Sequence, residues 1–127
     1  MLNTSPTVLV VEDNAETQLL LRHILTANYE PTVVASIDEA VRACEEQSFQ
    51  LLVMDINLGG KRTGTDLLHA LRKPPHSVEA PAIALTAYAM PGDRQRFERA
   101  GFDAYVSKPF SQDDLLGTVE ACLATSA

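Results

Sequence analysis

Five short runs of β-forming residues alternate with five helix-patterned stretches along this chain of 127 residues, and that alternation admits very few architectures. Thr7–Val11 is β-rich; Ala15–Asn28 follows, with leucines at 19, 20 and 21, then Ile24 and Leu25, at helical spacing behind Asn14 as a suitable N-cap. Pro31–Ala35 is a short strand, and Ser36 with Glu39 forms a capping box for a helix running to about Gln47. Leu51–Met54 is the most apolar run and suits a central strand buried on both faces. The stretch 57–64 holds three glycines and reads as a loop, before a helix with Leu67, Leu68 and Leu71 that stops ahead of Pro74 and Pro75. Ala82–Leu85 is the fourth strand. Pro91 opens a helix closed by Gly101, Asp103–Val106 is the fifth strand, and Ser111 with Asp114 opens a last helix to about Leu123. Strands alternating with helices predict an α/β class: one (βα)5 three-layer sandwich on a parallel five-stranded sheet with right-handed crossovers. The strand order is flavodoxin-like 2-1-3-4-5 or a Rossmann variant, and no GxGxxG follows the first strand to favour a dinucleotide site.

Size and composition narrow the function classes. A chain of this length buries a core without disulfides or structural zinc. Hydrophobic residues at 46% and charged residues at 21% are ordinary globular values, and a net charge of −7 argues against nucleic-acid binding. Arg94, Arg96 and Arg99 are interleaved with Asp93 and Glu98 as on a solvated helix. Cys44 and Cys122 fall at apolar helix positions, far from any ligand-like spacing, and read as small hydrophobes in a reducing compartment. His23, His69 and His76 lie in or after helices and are read as solvated or structural. No apolar stretch approaches the roughly 18 residues of a membrane span, and no leader pattern opens the chain, so the expected location is cytoplasmic with no membrane contact.

The strand ends carry the chemistry. In an open parallel sheet the carboxyl ends of the strands share one edge, where the ligand crevice lies. The first run ends in Glu12 and Asp13, the third in Asp55, the fourth in Thr86, and Lys108 follows the fifth. If strands one and three are neighbours, Asp13 and Asp55 come within roughly 5 Å, where at an effective dielectric near 20 their repulsion costs roughly 3 kcal/mol. A bound cation offsets such a cost. Hard oxygen donors without sulfur or imidazole select Mg²⁺, with Mn²⁺ as a substitute, and the backbone carbonyl of Asn57 offers one more ligand. An exposed carboxylate beside that ion is a candidate nucleophile toward phosphorus, with Lys108 and Thr86 placed to meet the phosphoryl oxygens.

The segments VLVVED at 8–13, VMDINL at 53–58, LTAYAM at 85–90 and GFDAYVSKPF at 101–110 stand in that order within the (βα)5 alternation. Together they make the chain resemble a response-regulator receiver domain of two-component signalling, of the stand-alone, chemotaxis-regulator type, from Val8 to about Leu123. The resemblance implies a single receiver domain over 1–127, with its core at about 7–124 and no output domain. It implies Asp55 as phosphoacceptor, Asp13 on the magnesium directly, Glu12 mainly through water, and the Asn57 carbonyl as a further ligand. Thr86 would hydrogen-bond the phosphoryl group, Lys108 would pair with it, Tyr105 would follow Thr86 as the second switch residue, and the Lys108–Pro109 peptide bond would be cis. The donor would be a histidine kinase or a histidine phosphotransfer protein. A downstream protein target would meet the face around Ala89, Met90, Ala104 and Tyr105, which has too few apolar residues for an obligate dimer, so a monomer or transient dimer is expected. Beyond self-phosphorylation from acyl phosphates and slow autodephosphorylation no enzymatic turnover is expected. Two alternatives share the fold class: a binding scaffold little dependent on phosphorylation, and a magnesium-dependent hydrolase with an aspartyl intermediate. The chain departs from the family pattern in the loop after Asp55, where Gly59 replaces a usual proline. Gly64 stands nine rather than eight residues beyond the acceptor, and Lys61 and Arg62 sit at the loop's tip.

Overall fold

Strict alternation of side chains along each strand sorts the apolar residues into two layers, one on each face of a single sheet. The computed structural model describes residues 5–87 and 92–125. Its elements run β1 (Thr7–Val11), α1 (Ala15–Thr26), β2 (Glu30–Val34), α2 (Ile37–Glu46), β3 (Leu51–Asp55), α3 (Gly64–Arg72), β4 (Ala82–Thr86), α4 (Asp93–Ala100), β5 (Ala104–Ser107) and α5 (Gln112–Thr125). The sheet order is β2-β1-β3-β4-β5 and every neighbouring pair is parallel, so of the two orders open to the sequence the flavodoxin-like one holds.

On one face Leu9, Val11, Leu52 and Met54 pack against Ile37 and Ala40 of α2, Leu67, Leu68 and Leu71 of α3, and Phe97 of α4. On the other face Val8, Val10, Leu51, Val53, Ile83 and Leu85 meet Leu21, Ile24 and Leu25 of α1 and Leu115 and Val119 of α5. Every residue of β3 and β4 is buried, as continuous apolar strands covered by helices on both sides require. Each such side chain contributes about 1.5–3 kcal/mol by leaving water. Truncating Leu67 or Leu52 to alanine would therefore cost about 2–5 kcal/mol.

Element ends depart from the sequence reading by one or two residues, each for a local reason. Helix α1 stops at Thr26 because the N–H groups of Asn28 and Tyr29 both turn back to the Leu25 carbonyl. Strand β2 starts at Glu30, whose N–H pairs with the Pro6 carbonyl, and ends at Val34 because the Ala35 N–H is taken by the Glu39 carboxylate. The Ser36 hydroxyl accepts from the Glu39 N–H as expected, so the box closes one residue further back than the usual pattern. Helix α4 begins at Asp93 after Gly92; Pro91 lies outside the described residues. Strand β5 is shifted forward by one residue to Ala104–Ser107, while the Asp103 carboxylate accepts from the Ala82 N–H at 2.8 Å. Helix α5 opens with the Asp114 N–H donating to the Ser111 hydroxyl and runs on to Thr125. The Lys108–Pro109 peptide bond is cis, as is Pro74–Pro75.

Candidate functional site: an acidic cluster bridged by a lysine

The parallel registers carry all five strand-end groups to one edge. Val11 lies beside Met54, Asp55 beside Leu85, and Thr86 beside Ser107, so the last residues of β3 and β4 and those just past β1 and β5 surround one cleft. Glu12, Asp13, Asp55, Thr86 and Lys108 all line it, with Asn57, Ala87 and Gly59. Each of the three acids offers a carboxylate oxygen, and these oxygens lie within 4.8 Å of one another.

Glu12 is wholly buried and held on every side. Its N–H donates to the Val34 carbonyl, its carbonyl accepts from the Gln18 side chain, and its carboxylate accepts from the Asn14 N–H at 3.1 Å. Lys108 Nζ completes the set, 2.7 Å from Glu12 Oε1 and 2.8 Å from Asp55 Oδ2. The other Asp55 oxygen accepts from the Asn57 N–H at 3.0 Å. Asp13 is exposed at the mouth, whereas Asp55 and Thr86 are buried.

Burial pushes the Glu12 carboxyl above its ordinary range. The Lys108 and Asn14 hydrogen bonds oppose that rise, and the Asp55 charge adds to it. For Lys108, burial works to lower the pKa, but the hydrogen bonds and charges of Asp55 and Glu12 outweigh it and hold the ammonium above the usual lysine value. Three carboxylates against one ammonium leave a formal charge of −2 in the ionised cluster. A divalent cation cancels that charge, and the donors are all hard oxygens, so the residues present fit magnesium.

The structure gathers Glu12, Asp13, Asp55, Asn57, Thr86 and Lys108. Tyr105 lies apart on β5, half-buried, with its ring centroid 5.9 Å from that of Phe97; Ala104 is half-buried beside it. Ala89, Met90 and Tyr88 lie outside the described residues. None of the histidines lines the cleft. His69 Nε2 stands 3.1 Å from the Ala100 carbonyl, and His76 faces Glu45 at 3.8 Å. Arg94 and Arg96 pair with Glu98 and Asp93 on their own helix, as the interleaved charges imply.

Several contributors carry no sequence signal of their own. Gln18 anchors the end of β1, a task invisible in a helix pattern. The Thr63 hydroxyl accepts from the Asp66 N–H while the Asp66 carboxylate accepts from the Thr63 N–H, a capping box closed by aspartate where glutamate is the usual cue. The longer loop still returns to the strand end: the Gly64 N–H donates to the Ile56 carbonyl, and any Cβ at 64 would collide with the Asp55 carbonyl oxygen. Gly59 sits at φ +77°, which proline cannot adopt.

A parallel (βα)5 sheet bearing a lysine-bridged acidic cluster at its carboxyl edge defines a phosphoaccepting signalling domain. A family model for the response regulator receiver domain matches residues 8–120, and the chain belongs to that family. It is 34% identical over 117 residues to the polar-differentiation response regulator DivK of Brucella ovis, covering 91% of this chain and 94% of that one. An uncharacterised 14.6 kDa protein of Leptolyngbya boryana is 38% identical, covering 92% of this chain and 90% of that protein. Among solved structures, the chemotaxis response regulator CheY4 of Vibrio cholerae superposes with a TM-score of 0.85 at 27% identity, over 94% of this chain and 99% of the other. The receiver domain of a Pseudomonas aeruginosa sensor histidine kinase, with a magnesium ion coordinated in its active-site cleft, gives 0.83 at 31% identity over 95% and 99%.

The cluster of Glu12, Asp13 and Asp55 is thus a receiver-domain site, consistent with a phosphoaccepting aspartate and magnesium-dependent signalling through conformational change. The acidic cluster is consistent with the self-phosphorylation and autodephosphorylation typical of receiver domains. Family membership implies interaction with histidine kinases or phosphotransfer proteins. No helix among the described residues is long and apolar enough to cross a membrane.

Proposed function

We propose that Asp55 is the phosphoacceptor, taking a phosphoryl group from a histidine kinase or a histidine phosphotransfer protein. The observation that carries this reading is the Lys108 ammonium lying on the buried Asp55 carboxylate within the acidic cleft. A carboxylate oxygen of Asp55 attacks phosphorus, the phosphorus–nitrogen bond of the donor breaks, and the electron pair leaves with the imidazole. Lys108 then pairs with the phosphoryl oxygens, and the Thr86 hydroxyl donates to one of them. Asp13, Asp55 and the Asn57 carbonyl would hold magnesium, with Glu12 acting through water. Bound there, the ion supplies charge compensation between the acids and the incoming phosphoryl oxygens.

The new group carries nearly two negative charges beside Thr86 where the carboxylate carried one, and with its acceptor oxygens it can bias a two-state element by a few kcal/mol. Tyr105 follows Thr86, and the face around Ala89, Met90, Ala104 and Tyr105 meets a downstream protein, with the domain a monomer or transient dimer in the cytoplasm. Intact-mass measurement after incubation with Mg²⁺ and acetyl phosphate tests the reading. One phosphoryl mass is expected, absent with EDTA and absent in Asp55→Asn. Equal labelling of Asp55→Asn would refute it.

A further inference from the structure

Of the three acids, two are tethered. Glu12 and Asp55 each accept from Lys108 and from a backbone N–H, whereas among the described residues the Asp13 carboxylate has no such tether. Its position depends on the space it is given. That space is bounded by Gly59, where a Cβ would stand 2.9 Å from Asp13 Oδ2. Such a separation is too short for any real side chain, so one of the two groups must move.

The loop is tied at several points, while the atom a Cβ would meet is the free end of the Asp13 side chain. The Gly59 N–H donates to Asn57 Oδ1 at 3.3 Å, the far end of the loop is pinned where Gly64 meets the end of β3, and Arg62 pairs with Asp38 at 3.2 Å. Asp13 is exposed and can swing into water, which removes it from Glu12 and Asp55 at little cost to the fold. We propose that Gly59 is the positioning residue for Asp13: its bare backbone keeps the Asp13 carboxylate within the acidic cluster and so sets the affinity for the divalent cation. This inference rests on the cation site argued above and names the residue that tunes it. A group that acts on a metal ligand from outside the coordination sphere typically changes metal affinity by about 10–100-fold.

The test is titration of the thermal midpoint with Mg²⁺ in four proteins: the unsubstituted chain, Gly59→Ala, Gly59→Asn and Gly60→Ala. Asparagine tolerates the left-handed backbone at 59 while still adding a Cβ, and Gly60 has nothing within 4 Å of its added Cβ. Both substitutions at 59 are expected to weaken Mg²⁺ binding by about 10-fold or more, with Gly60→Ala unchanged. In EDTA the midpoint of Gly59→Asn should stay near that of the unsubstituted chain, a split that a purely structural role would not give. Unweakened binding in either 59 variant would overturn the proposal, and weakening in alanine alone would assign the residue to backbone conformation instead. No response to Mg²⁺ or Mn²⁺ in the unsubstituted chain would refute the cation site itself, and this inference with it.

Discussion

Lys108, placed just beyond β5, lies with its ammonium 2.8 Å from the Asp55 carboxylate at the end of β3. It spans β4 to do so, and the same ammonium holds buried Glu12 at 2.7 Å. One cation therefore bridges two acids from two strands before any ligand arrives. Removing it leaves two close carboxylates without a counter-charge. Lys108→Met should lose about 1–3 kcal/mol in EDTA at neutral pH, and millimolar Mg²⁺ should restore part of that. Urea unfolding with and without the metal measures both, and an unchanged midpoint in EDTA would count against the bridge.

Glu12 gives a pH dependence whose sign is fixed by its environment. Its folded pKa is raised above the ordinary 4.5, mainly by burial. The folded state therefore binds the proton more tightly, and the stability so gained is complete below about 4.5 and lost as pH rises through the folded value. Glu12→Gln removes this loss while keeping an acceptor for Lys108. The variant should gain on the parent as pH rises above about 4.5 in metal-free buffer, as thermal midpoints across the acid-to-neutral range would show. A constant difference across that range would mean the burial of Glu12 is without thermodynamic effect.

Asp13 is exposed and close to two other acids, so neutralising it relieves repulsion without opening a cavity. Asp13→Asn should fold with stability within about 1 kcal/mol of the parent, on the favourable side. Its upward shift of midpoint with Mg²⁺ should vanish. Retention of the full shift would remove Asp13 from the cation site.

Both thiols are held above their ordinary range by burial, and for Cys122 the Asp103 charge adds to the effect. Thiolate is the reactive form, so both cysteines should react slowly with an aromatic disulfide reagent at pH 8 in the native state. Denaturation should release two equivalents at once. Rapid native labelling of Cys122 would contradict its packing between α5 and the sheet.

Much of this arrangement is legible in the chain because it depends on periodicity. The parity that sends Val8 and Val10 to one face and Leu9 and Val11 to the other is written in the residues themselves, and the acids that end those runs follow directly. Strand order is different, since two orders satisfy the same pattern, and only the pairing of Val11 with Met54 brings Asp13 to Asp55. The hidden contributors are hydrogen bonds across turns. Gln18 reaching Glu12, Asp66 closing on Thr63, and Asp103 capping Ala82 each join residues whose partnership is set by backbone path. Lys108 shows both sides: its position after the fifth strand marks it for the site, while its resting bond to Glu12 appears only once β1 and β5 flank the same cleft.

The central claim is that Asp55, and no other acid of the cluster, accepts the phosphoryl group. Borohydride reduction of the protein phosphorylated by acetyl phosphate with Mg²⁺, followed by peptide mass mapping, converts an acyl phosphate to homoserine in place. The account predicts homoserine at position 55 alone. Homoserine at position 13, 2-amino-5-hydroxypentanoic acid at position 12, or neither product after verified phosphorylation, would contradict it.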